Sequence, residues 1–110
     1  MRRLTKEEIA AGLGDLPGWT GNEARLEAWF VWPTFAAGLQ FVNEVGALAE
    51  AASHHPDLDI RYNRVRVGLS THDAGGVTDR DLALARAIGH AARGLRADAA
   101  DEEAPPRRPG

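Results

Sequence analysis

Between Arg25 and Trp32 apolar and polar positions alternate: Leu26, Ala28, Phe30 and Trp32 are apolar, Arg25 and Glu27 are charged, and Trp29 and Val31 interrupt the polar set. A period of two sends successive side chains to opposite faces of a strand, so this stretch predicts a strand with one buried face. Gly18 and Gly21-Asn22 upstream are turn residues and predict a hairpin, with a first strand ending near Asn22. Where Trp29 to Trp32 is apolar on both sides, contact beyond the core is expected.

Pro33 stops the strand and the period changes. Thr34 is a cap residue, and in FAAGLQFVNEVGALAEAASHH the positions Phe35, Leu39, Val42, Val45, Gly46 and Ala49 share one arc at the helical spacing. Gln40, Asn43 and Glu44 lie away from the centre of that arc, with Glu50 at its border. Residues four apart are neighbours on a helix, so Glu50 and His54 can touch if the helix reaches His54. Pro56 disfavours helical geometry at His55, which places His54-His55 where the helix ends.

Period two returns in DLDIRYN, with Ile60 and Tyr62 on one face, and in RVRVGLSTH, with Val65, Val67, Leu69 and Thr71 on one face. A hairpin turning near Asn63 carries His72 back toward His54 and His55. At the amino end, LTKEEIAAGLG predicts a short helix, with Thr5 and Glu8 spaced as a capping box and Gly14 as the stop. A last helix opens after the DAGG loop. Thr78 caps it, Asp81 takes its third position, and Val77 and Leu82 have staple spacing. On that helix Arg86, His90 and Arg93 share a polar arc opposite Ala85, Ile88, Gly89, Ala92 and Leu95. The polar, proline-bearing end predicts a flexible tail over 98–110 after a single domain over 1–97.

A chain of 110 residues supports one core of modest stability, which favours association with a second copy. A net charge of −3 and a pI near 5.8, with no basic run among aromatics, argue against direct nucleic-acid binding. The absence of cysteine excludes disulfides and thiolate metal sites. The start MRRLTKEEIAAGL carries acids where a secretory signal needs an apolar core, and no apolar run spans a membrane, so the expectation is a cytoplasmic protein.

Candidate chemistry concentrates in the histidines, because the hairpin gathers His54, His55 and His72, three of the chain's four. Imidazole changes charge near neutrality, so such a cluster can hold one ring as acid and another as base around one substrate. Glu50 can orient a ring beside it. Surface turns and helix-end electrostatics are the bland alternative for any two of these rings. A zinc site is the sharper rival, weakened because neighbouring histidines rarely share an ion and no His-x-x-x-His or His-x-His pair is present. Ser70 and Thr71 lack the glycine elbow of a hydrolase nucleophile. The glycines of HDAGG suit a sharp turn better than a phosphate loop. Trp19, Trp29 and Trp32 read as core or interface, and His90 as solvated.

The stretch EAASHHPDLDIRYNRVRVGLSTHDAGGVTDRDLALA resembles the signature region of the pterin-4a-carbinolamine dehydratases. The shared pattern is a glutamate four residues before His-His-Pro, a tyrosine-bearing strand, Thr-His ending the next strand, a glycine loop, and an aspartate opening the last helix. Leu58, two positions after the motif proline, departs from the aromatic residue many members carry, and Val31-Trp32-Pro33 departs from an aromatic-rich strand.

The resemblance implies an α+β fold, with a four-stranded antiparallel sheet and three helices packed on one face. It implies homodimers, sometimes homotetramers, and a lyase that removes water from 4a-hydroxytetrahydrobiopterin during tetrahydrobiopterin recycling. No metal or other cofactor is required. Catalytic roles would fall to Glu50, His54, His55 and His72. Pterin contacts would come from these histidines with Pro56, Ser70, Thr71, Asp73, Ala74 and Asp81. A binding module for a protein partner on the same fold is the alternative, motivated by Trp29 to Trp32 and Leu58.

Overall fold

The computed structural model describes residues 1–100, and their side chains through Arg96. The elements run α1 (Lys6–Leu13), β1 (Trp19–Gly21), β2 (Leu26–Val31), α2 (Phe35–Ala52), β3 (Asp57–Arg61), β4 (Arg64–Leu69), a short 3-10 turn (His72–Ala74) and α3 (Asp79–Ala100). The four strands form one antiparallel sheet in the order β1-β2-β4-β3. This is the expected α+β architecture. The last helix continues through Ala100, past the expected boundary at residue 97, and the rest of the expected tail, 101–110, lies outside the described residues.

Alternation determines which sheet face is covered. Leu26, Ala28 and Phe30 on β2 and Val65, Val67 and Leu69 on β4 are buried, and they meet Phe41 and Val45 of α2 and Ala85, Ile88 and Ala92 of α3. The opposite face carries charge. Arg66 on β4 bridges Asp59 on β3 and Glu27 on β2, while the Arg64 guanidinium lies 4.8 Å over the half-exposed ring of Trp29. Trp29 and Val31 stand out on this face, as their two-sided pattern predicts.

In α2 the buried side differs from the expected arc. Gly38, Phe41, Val45 and Ala49 face the core, whereas Phe35 and Leu39 are exposed. The cause is aromatic packing: Phe41 sits 4.7 Å from the Phe30 ring and 4.9 Å from the Trp32 ring, which turns the helix so that Gly38 faces Trp32 and Val65. Phe35 instead stacks on Tyr62, which occupies the β3–β4 turn with a φ of 55°.

The capping box of α1 forms as its spacing predicts, with Glu8 N–H donating to Thr5 Oγ1 and Thr5 N–H donating to Glu8 Oε1. Arg2 forks onto the same carboxylate at 2.8 and 2.9 Å, and together with Thr5 it lowers the Glu8 pKa from 4.5 to about 2. A carboxylate lowered in the folded state stabilises that state above its unfolded value and loses this contribution as pH falls toward the folded value. Between about pH 4.5 and 2, α1 should therefore loosen, read as Cα chemical shifts over residues 6–13 moving toward coil. Shifts that hold through pH 2 would contradict this.

Candidate active site

The helix α2 ends where the motif begins. Ser53 takes a left-handed conformation at φ 50°, and the His54 N–H donates to Ala49 O at 3.0 Å. A non-glycine residue in that region costs of order 1–3 kcal/mol and persists only where neighbours fix it. Arg80, in the first turn of α3, supplies part of that constraint. Its Nη2 donates to Ser53 O at 2.7 Å and to Ala52 O at 3.3 Å, occupying carbonyls the helix leaves free.

This reversal sends the two neighbouring rings in different directions. His54 turns inward, 8 % exposed, and its Nε2 lies 2.5 Å from Asp81 Oδ1. His55 turns outward, and its Nε2 lies 2.9 Å from Glu50 Oε2. The expected contact of Glu50 with His54 is thus made with His55 instead, because the helix stops at Ala52 and the left-handed step rotates the following residue off the helical period. The Glu50–His55 pair is solvated on both sides, so its contribution to stability is about 0–1 kcal/mol.

Asp81 is fully buried. Its Oδ2 accepts the Thr78 N–H at 2.9 Å and the Thr71 hydroxyl at 2.8 Å, so one carboxylate caps α3 and also holds His54. The cap was legible from spacing. The bond to His54 joins residues 27 apart in sequence and has no local signal.

The third ring arrives on the strand that follows β3. Past Leu69, Ser70 Oγ donates to Ala24 O at 2.8 Å, and Thr71 bridges Gly76 to close a tight loop. The two glycines of that loop do different work. Gly75 supplies a φ of 75°, while at Gly76 a Cβ would stand 2.6 Å from Glu23 O, too near for any side chain. His72 opens the 3-10 turn and is exposed.

The three rings line one pocket of about 210 Å³ together with Ser70, Thr71 and Asp73. Ser53 and Arg80 complete its wall, and neither was singled out in the sequence. Glu50 reaches this pocket through His55, and Asp81 through His54 and Thr71. Pro56 and Ala74 are not among the residues that line it. His90 lies apart on the exposed side of α3. Among the described residues no three His, Cys, Asp or Glu side chains gather as a metal-holding group. No helix among those residues is long and apolar enough to cross a membrane.

Chemically, the arrangement offers imidazoles of different environment around one small volume. One ring is backed by a buried carboxylate, one by a solvated carboxylate, and the side chain of His72 has no hydrogen-bond partner among the described residues. Such a set can give and take protons on different sides of a bound ring.

Residues 2–91 match the family model described as pterin 4 alpha carbinolamine dehydratase. Two relatives provisionally named pterin-4-alpha-carbinolamine dehydratase match over 88 residues. That of Chloroflexus aurantiacus is 52% identical, covering 80% of this chain and 95% of its own. That of Thermomicrobium roseum is 49% identical with the same coverage, 80% and 95%. The crystal structure of a transcriptional coactivator/pterin dehydratase from Brucella melitensis superposes with a TM-score of 0.79 at 33% identity, covering 83% of this chain and 99% of that one. A pterin dehydratase-like RuBisCO assembly factor of the alpha-carboxysome shares the fold, with a TM-score of 0.57 at 20% identity over 67% of this chain and 86% of its own.

Proposed function

Because this chain belongs to the pterin-4-alpha-carbinolamine dehydratase family, we propose that it is a lyase that dehydrates 4a-hydroxytetrahydrobiopterin to quinonoid dihydropterin and water. The observation that carries this reading is the convergence of His54, His55 and His72 on one pocket, with His54 set against a buried carboxylate. In the reaction the C4a–O bond breaks, a general acid protonates the departing hydroxyl, and a base takes the proton of the neighbouring ring nitrogen. The three imidazoles share these roles. Glu50 acts through His55 and Asp81 through His54, while Ser70, Thr71 and Asp73 bound the ring. An apolar groove of about 370 Å³ between α2 and α3, sharing His54 and Arg80 with the histidine pocket, leaves room for a substituent on the pterin.

The working form in this proposal is a homo-oligomer. Among the described residues the outer strands β1 and β3 each pair on one side only, and Ile60 of β3 and Phe35 and Leu39 of α2 have exposed side chains. The test of function is the disappearance of chemically generated carbinolamine, followed with and without protein. Dehydration well above the buffer rate is expected, and a rate equal to buffer would refute the enzyme.

A second reading has its own observation. Trp29 and Val31, 42% and 57% exposed, lie on the sheet face that no helix among the described residues covers, as a protein-binding module requires. That reading gains if a stoichiometric partner is retained by histidine variants that lack turnover.

A further inference from the structure

The hydrogen bonds around Asp81 can each be given a direction. Its Oδ2 accepts from Thr78 N–H and from the Thr71 hydroxyl, and its Oδ1 faces His54 Nε2 at 2.5 Å. A hydroxyl has one proton to donate. Thr71 directs its proton to Asp81, so across the 2.8 Å contact between the two threonine hydroxyls Thr78 is the donor. Thr78 Oγ1 in turn accepts the Arg80 N–H at 3.3 Å. Every donor therefore points toward the carboxylate. An ionised carboxylate only accepts, so the His54 nitrogen facing it carries a proton. Among the described residues nothing hydrogen-bonds His54 Nδ1, and the buried side-chain atoms without partners are Trp19 Nε1, Arg25 Nε and Trp32 Nε1; Nδ1 therefore reaches solvent.

We infer that Thr71 is a positioning residue: with Thr78 it fixes the Asp81 carboxylate so that His54 keeps its proton on Nε2 and presents Nδ1 as the nitrogen that exchanges a proton with substrate. The word substrate rests on the proposed dehydratase; the tautomer rests on geometry alone. When Nδ1 takes a proton, the ring becomes an imidazolium whose charge lies against Asp81, and the same nitrogen returns the proton. Thr71 immediately precedes His72, so one strand end orients His54 from behind and delivers His72 to the same pocket. The arrangement couples two rings that are distant in sequence.

Side-chain ¹H–¹⁵N correlation spectra of the full chain without ligand, at alkaline pH where imidazoles are neutral, test this. His54 should show a pyrrole-like Nε2 and a pyridine-like Nδ1. Thr71→Val keeps the shape and removes the hydroxyl; it should mix the tautomers of His54 and slow dehydration about tenfold, by analogy with the partners that orient metal-bound imidazoles. Thr71→Ser should restore both spectrum and rate.

Asp81→Asn provides a second lever. Its carbonyl can serve Thr71 and Thr78 while its NH₂ faces His54, which makes Nε2 an acceptor and moves the ring proton to Nδ1. A wild-type ring protonated on Nδ1, or one tautomer unchanged through all variants, overturns the inference. The spectra need no turnover, so a protein that leaves carbinolamine untouched refutes the dehydratase reading while the tautomer is still decided.

Discussion

Asp81→Ala should destabilise the domain by about 3–5 kcal/mol, because several buried hydrogen-bonding groups lose their partner together at about 1–3 kcal/mol each. The substitution strands several groups together. Thr78 N–H loses its acceptor at the start of α3, the Thr71 hydroxyl loses its proton acceptor, and His54 Nε2 is left facing a void in a region almost closed to water. A small domain holds about 5–15 kcal/mol in total, so this one change removes a large fraction. In urea the unfolding midpoint should fall by about 2 M. A midpoint within experimental scatter of wild type would show that the network around Asp81 contributes nothing to folding.

The second large effect should fall on turnover and leave folding intact. His72→Ala should lower the dehydration rate by about 10²–10⁴-fold, the contribution expected of a positioned proton-transfer group. Stability should move by no more than about 0.5 kcal/mol, because His72 is exposed and its side chain has no hydrogen-bond partner among the described residues. The contrast between the two variants separates structural from chemical roles within one pocket. Equal rates for His72→Ala and wild type, measured on the same generated carbinolamine with both proteins folded, would remove His72 from the reaction.

The parts of the structure that follow from local rules were readable along the chain. Thr5 with Glu8, Thr34, and Thr78 with Asp81 each mark a helix start whose cap forms as its spacing requires, and period two along β2 and β4 gives the buried sheet face. Convergence of His72 with His54 and His55 follows from the hairpin's length alone. Local rules fail where a long-range contact decides. Two apolar sides compete in α2, and only the positions of Phe30 on β2 and of Trp32 just after it explain why Phe41 wins over Phe35 and Leu39. Glu50 and His54 have the right spacing for a helix, but Ser53 leaves the helix first. The spacing of Asp81 marks its cap and the family pattern marks it for the site, but its bond to His54, 27 residues away, has no local signal. Arg80 became visible only when α3 was seen to lie against the end of α2.

The account stands on one pocket receiving the pterin ring between three imidazoles, and the chain carries its own control, because the fourth histidine, His90, lies outside it. Titrating the ¹⁵N-labelled protein with a dihydropterin while recording the histidine side chains tests this directly. The resonances of His54, His55 and His72 should shift together and saturate at one ligand per chain, with His90 unmoved. Movement of His90 in step with the others, or saturation of binding with all three pocket rings unmoved, would contradict it.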